Sequence, residues 1–261
     1  MLRIRSEQIE VFASPDTPRF ESSSIIHIKH AFPKHFSVLN ESGAQAVVNH
    51  GRSRARRYGL NDAGAVLLYI DLTLLLGRNF DEDIQLPWAA AILNDQSLPG
   101  HARLDVVQPQ PLVKAVRLHE YAMAYLDEVS GIENEHIDAA QRRLLDQPFS
   151  VDAHGGEGFQ QEALRRLSTI WPEKCNYLGP DTMLTLVRYG IERMQHYDIA
   201  TPVGAFLGIV TMYMLGTGFD QDPLFPWAGR ILNDKALRPS ERTERLYEEG
   251  VTYLKRWCAL C

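Results

Sequence analysis

The feature that most constrains this chain is that it writes one sixteen-letter stretch twice. "FDEDIQLPWAAAILND" opens at Phe80 and "FDQDPLFPWAGRILND" at Phe219, a separation of 219 − 80 = 139 residues. Sliding the sequence on itself by that amount aligns 32–98 with 171–237 without a gap and gives 21 identities in 67 positions. Pro33 falls on Pro172, Leu39 on Leu178, Gly51 on Gly190, Arg54 on Arg193, Tyr58 on Tyr197 and Gly77 on Gly216. Apolar, glycine and proline positions dominate the matches, as expected when a repeat preserves a fold. Further on, "RLHEYAMAYL" at Arg117 aligns with "RLYEEGVTYL" at Arg245 at a shift of 128, so the first half carries 139 − 128 = 11 extra residues. These include "VVQPQP", whose prolines forbid a continuous helix. The expectation is a tandem duplication of one unit, residues 1–130 and 131–261, packed as a pseudo-symmetric two-lobed bundle.

The unit reads as helical nearly throughout, so the fold class is all-α. Val47, Val48, Gly51, Ala55 and Tyr58 recur at spacings of three and four. The pairs Gly179–Pro180 and Thr201–Pro202 look like N-cap and first-turn residues opening consecutive helices. "DAGAVLLYIDLTLLLG" is apolar on most faces, as a central helix should be. "IRSEQIEVFASP" weakly matches "IDAAQRRLLDQP" and predicts a first helix, and "HGGEG" at His154 reads as a linker. The uncharged run from Thr201 to Phe219 approaches membrane-spanning length. Its counterpart in the first half carries Asp71, which favours a buried core helix over membrane insertion.

The balance of 27 Lys and Arg against 33 Asp and Glu gives a net charge of −6. Nucleic acid is disfavoured as a partner, because phosphate binding needs a basic face. The N-terminus has no apolar stretch of signal-peptide length, and three cysteines make a poor disulfide framework. A reducing, cytoplasmic location is the default.

Within the repeated stretch, Asp81 and Asp83 bracket a loop in one copy, as Asp220 and Asp222 do in the other. A D-x-D pair can ligate a metal, but an EF-hand would need glycine and glutamate where Leu86 and Ile92 stand. The plainer expectation is structural. The carboxylates accept backbone N–H bonds near helix N-termini, Phe80, Phe219, Trp88 and Trp227 anchor the loop in the core, and Pro87 and Pro226 open a short helix. Both copies keep the whole set, which a drifting duplicated active site would not. No metal and no cofactor is expected.

Other candidates are weaker. Cys258 and Cys261 form a lone C-x-x-C without the further ligands zinc needs. His27, His30 and His35 read as solvated. Glu133 and His136 give a single E-x-x-H, where a di-iron bundle needs two. Asp71 is a core acid whose counterpart is Val210, and pairing with an arginine such as Arg54 is the plain account. The main difference between halves is "RSRARR", with Arg52, Arg54, Arg56 and Arg57, against "IERMQH". In an acidic protein such a patch could grip an acidic partner; a solvated helix face is the alternative.

The opening "MLRIRSEQIEVF", with "FPKHF", "YGL" and "FDEDIQLPWAAAIL" after it, resembles a group of bacterial proteins associated with gene clusters for type VI secretion effectors. Such clusters encode toxins, spike-associated loading proteins and immunity proteins. The resemblance implies a cytoplasmic, non-enzymatic binder, either an immunity protein capping its toxin or an adaptor or chaperone holding an effector for loading. The partner would then be another protein, a secreted toxin or a spike component, gripped by the arginine face and a cleft between repeats. Two other classes stay open. One is a metal-dependent enzyme on which Asp81, Asp83, Asp220 and Asp222 converge, and the other is a homo-oligomeric structural protein.

Overall fold

The computed structural model describes residues 14–95, 110–146 and 157–259, without the side chains of 157 and 257–259. The expected first helix, most of the "VVQPQP" insertion, the start of "HGGEG" and the Cys258 and Cys261 thiols lie outside the described residues. Among the described residues the chain is all-α, with no strand. Its helices are α1 (Pro18–Ala31), α2 (Pro33–Arg57), α3 (Ala63–Leu76), α4 (Pro87–Asn94), α5 (Gln110–Ser130), α6 (Glu135–Asp146), α7 (Glu157–Ile170), α8 (Pro172–His196), α9 (Pro202–Leu215), α10 (Pro226–Asn233) and α11 (Pro239–Ala259).

The termini are set by local chemistry. Proline, which has no N–H to leave unpaired, opens α1, α2, α4, α8, α9 and α10. Asp62 accepts from Gly64 and Ala65 N–H to start α3, and Thr201 accepts from Gly204 N–H to start α9. Gly77 and Gly216, at φ 99° and 93°, end those helices in a conformation a Cβ would oppose. Gly179, at φ 71°, ψ 169°, interrupts the helical path of α8, so that Pro180 opens the second of two helical stretches joined across a kink, as the Gly–Pro pair suggested. Asn40 makes the same break inside α2 at φ 53°, ψ −169°.

Helices α3 and α9 are the buried centres. Every residue of α3 from Ala63 to Leu74 is buried, as is all of α9 from Gly204 to Val210. Each spans 14 residues, and no described helix is long and apolar enough to cross a membrane. Gly51 lets α2 close on α3, since a Cβ there would stand 2.7 Å from Ile70 Cγ1, and Gly190 lets α8 close on α9 against Ile209.

The described residues divide into two compact units. One holds the chain up to Glu82 together with Leu86–Met123; the other holds Asp83–Gln85 together with the chain from Ala124. The division falls inside α5, after Met123, and the three residues Asp83–Gln85 belong to the second unit. In the first unit α1 packs on α2 and α2 on α3. In the second, α7 packs on α8, α8 on α9, and α10 on α11.

Candidate functional site

The repeated motif lies in the turn after each central helix, and its acids do two different jobs. Asp81 has a wholly buried side chain, and its Oδ2 accepts from Arg54 Nε at 2.9 Å and Nη2 at 2.5 Å. In the second half Arg193 and the Tyr197 hydroxyl donate to Oδ2 of Asp220, likewise buried. These two acids do not cap backbone, as the sequence suggested. Each neutralises an arginine delivered by the preceding long helix, which offsets the cost of burying the carboxylate's charge. Tyr58 lies in the same cluster, its pKa pushed up to about 12 by burial and then by Asp81.

Asp83 and Asp222 do bind backbone. Asp83 Oδ1 accepts from Gln85 N–H at 2.9 Å, and Asp222 Oδ1 accepts from Leu224 N–H at 2.9 Å, the short side-chain loop typical of Asp at a turn. Within the second unit Asp83 Oδ2 also accepts from Thr217 N–H at 2.8 Å, and Gln85 Nε2 donates to the Met212 carbonyl at 2.9 Å. The Asp83–Gln85 piece thus ties down a buried carbonyl in the last turn of α9 and the turn that follows it. Phe80, Phe219 and Trp227 are buried as expected, and Pro87 and Pro226 open α4 and α10. Trp88 departs from the expectation. It is half-buried, its ring 6.3 Å from Tyr121 on α5.

The arginine face is less uniform than its sequence. Arg54 leaves the expected partner-binding set, since its guanidinium binds Asp81 and also Glu82 Oε1 at 2.9 Å. Arg56 and Arg57 are exposed and pair with Asp16 and Glu82. Arg52 donates to Asn49 Oδ1 at 2.9 Å and to the Pro15 carbonyl.

Asp71 does not meet Arg54 either. Helix α1 brings His27 to it, with Nε2 2.9 Å from Oδ1 and 3.1 Å from Oδ2. Burial pushes the Asp71 carboxyl up, and His27 and His119 partly offset that. The geometry explains the pairing: Arg54 is already held by Asp81, while His27 sits on the helix packed across α3. Neither His27 nor His35 is solvated; only His30 of the three is exposed. His35 is half-buried, bonds to the Leu74 carbonyl, and has its pKa lowered to about 4, chiefly by desolvation. At the matching position Lys174 is wholly enclosed and donates to the Tyr213 carbonyl at 2.5 Å, its ammonium 4.8 Å from the Trp171 ring centre. Burial lowers its pKa to about 8.

Val210, the counterpart of Asp71, lines a half-open apolar groove with Leu207, Met214, Trp227 and Leu246. Among the described residues no group of three or more His, Cys, Asp or Glu side chains is placed to hold a metal ion. Glu133 is an exposed turn residue at φ 56°. Sequence reasoning missed the two Arg–Asp pairs, the His27–Asp71 contact and the buried Lys174. The signal for the first was present, since Arg54, Arg193, Asp81 and Asp220 all keep the same register. No family model, no curated protein and no solved structure matches the chain.

Proposed function

We propose that this protein is a tandem duplication of one helical unit whose function is non-enzymatic: it binds another protein in the cytoplasm through exposed side chains of the first half. Support for the duplication comes from geometry recurring at the 139-residue spacing. Arg54–Asp81 repeats as Arg193–Asp220, Gly51–Ile70 as Gly190–Ile209, and His35 on the Leu74 carbonyl as Lys174 on the Tyr213 carbonyl.

One observation carries the binding reading. Of this face both halves keep an arginine only at Arg54 and Arg193; the half-buried Arg52 and the exposed Arg56 and Arg57, held by Asn49, Asp16 and Glu82, have Ile191, Gln195 and His196 as counterparts. Exposed charge that the scaffold does not use in its second copy is the kind of feature that steers and orients a partner. The motif's acids, the residues best suited to chemistry, are committed to Arg54, Arg193 and backbone N–H groups. That leaves the convergent-aspartate enzyme without a supporting observation. The resemblance to proteins of type VI secretion effector clusters supplies the class of partner, a secreted toxin or a spike component, and the role of immunity protein or loading adaptor.

The test is affinity capture of the tagged chain from its host, read by mass spectrometry, beside a variant with Arg52→Glu, Arg56→Glu and Arg57→Glu. The expected result is one stoichiometric toxin-like or spike-associated protein, lost in a variant that melts like the parent. If the variant holds the partner at low and moderate salt, the arginine face is wrong. If no partner is found, the binding reading falls.

A further inference from the structure

Helix α5 buries one face and leaves another uncovered. Ala115, Leu118 and Ala122 are buried, while Val116, Arg117, Glu120 and Tyr121 on the opposite side are exposed, Val116 at 39% and Tyr121 at 47%. The spacing of three and four puts these last residues on a single stripe. Arg117 lies over the Tyr121 ring, 5.9 Å from its centre, and the half-buried Trp88 of α4 flanks that ring on the same unit. Among the described residues neither Arg117 nor Glu120 has an ion-pair partner, although they stand three apart on one helix.

The fold does not require this stripe to be apolar. At the 128-residue shift its counterparts on α11 are Glu244, Arg245, Glu248 and Glu249, four charged and exposed residues. Arginine and glutamate are kept at the inner two positions, while valine and tyrosine replace glutamates at the outer two. Tyrosine, tryptophan and arginine are also the residues that most often anchor protein interfaces.

The order of the stripe is its most specific property. Val116, Arg117, Glu120 and Tyr121 read as apolar, positive, negative, apolar. Laid antiparallel on a second copy about a two-fold axis midway between residues 117 and 120, each position faces the one whose number completes a sum of 237. Arg117 then faces Glu120 of the other chain and Val116 packs under its Tyr121, each contact occurring twice. A two-fold interface demands this self-complementarity, and opposite charges flanking an apolar seam specify orientation in paired helices.

We infer that the exposed face of α5 is a self-association surface, where a second copy of this chain docks antiparallel with Arg117 and Glu120 paired across the axis. The contact is independent of the partner-binding face proposed above. It is shorter than a standard protein interface, so the dimer exchanges readily and depends on concentration.

Sedimentation equilibrium tests this with charge reversals at two exposed positions. The wild-type chain is expected to sediment as a concentration-dependent dimer. Arg117→Glu alone sets glutamates against glutamates across the axis, and Glu120→Arg alone sets arginines against arginines, so each variant by itself is expected to be monomeric. An equimolar mixture of the two variants restores opposite charges at both contacts and is expected to regain the dimer. That recovery also shows that both variants are folded. The inference is overturned by a wild-type chain still monomeric at about 1 mM. It is equally overturned by single variants that dimerise as the parent does, or by a mixture that stays monomeric.

Discussion

Asp81 shows how a residue that looks catalytic can be consumed by packing. Its carboxylate has no exposed surface and its charge is answered by Arg54, a pair that recurs at Asp220 and Arg193. Removing one member leaves an uncompensated buried charge, so Arg54→Ala is expected to cost about 3–5 kcal/mol, and Arg193→Ala a similar amount. Adding Asp81→Ala to Arg54→Ala should recover part of that loss. Urea unfolding decides it, and a loss below about 1 kcal/mol would show that the pair is not isolated from water. The half-buried His35 and the buried Lys174 supply pH signatures of the same sign in two different windows from one structural position. His35 falls from 6.5 unfolded to about 4 folded, so its contribution is complete above pH 6.5 and is lost as pH drops toward 4. His35→Gln, which keeps a donor for the Leu74 carbonyl, should flatten the fall in unfolding midpoint between pH 7 and pH 5. Lys174 falls from 10.5 to about 8, so the penalty for burying its charge is present below pH 8 and lifts as pH rises toward 10.5. Lys174→Met should therefore gain most on the parent at neutral pH, with the gap narrowing as pH rises from 8 toward 10.5. A gap independent of pH would mean that the ammonium is solvated.

At the scale of elements, the close approach of long helix to central helix rests on one glycine per half. A Cβ at Gly51 would meet Ile70 Cγ1 at 2.7 Å with the Ile70 Cα 3.5 Å away, and Gly190 meets Ile209 in the same way. The central helices are buried on both sides of that contact, so neither can shift without opening another. Gly51→Ala and Gly190→Ala are each expected to destabilise by about 1–3 kcal/mol through overpacking, although alanine is the better helix former. Thermal melts that rise instead would show that the helices separate freely. Much of this level is legible in the sequence. Proline marks seven helix starts and Asp62 caps an eighth, glycines mark the ends of α3 and α9, and unbroken apolarity marks the two central helices. The Gly179–Pro180 pair marks the kink at which α8 breaks into two helical stretches, whereas Asn40 makes the corresponding break in α2 without a proline after it.

For the whole molecule, the repeat in the sequence and the division of the chain do not coincide. The Asp83–Gln85 piece is written in the first half but belongs to the second unit, where it holds Thr217 N–H and the Met212 carbonyl. Asp83→Ala strands a buried N–H and is expected to cost about 1–3 kcal/mol. The loss should appear in the second unit first. Hydrogen exchange should report faster opening at the end of α9 and in the turn to Phe219, with the amides of α2 and α3 little changed. Equal acceleration in α3 would mean that the piece supports both units alike.

What the sequence determined by itself follows from short-range chemistry: the helical class, the helix starts, the central helices and the register of the repeat. Caps, proline geometry and apolar periodicity act within a few residues of chain, and a repeat exposes them twice. Only the tertiary structure decided which charge meets which. Arg54 could reach Asp71 or Asp81 as far as composition is concerned, and the packing of α1 across α3 gave Asp71 to His27 instead. Ion-pair choice depends on which side chains share a buried volume, and that is a property of helices far apart in sequence. The same reason hid the buried Lys174 and the exposed stripe on α5, since burial is conferred by neighbours that the linear chain does not name.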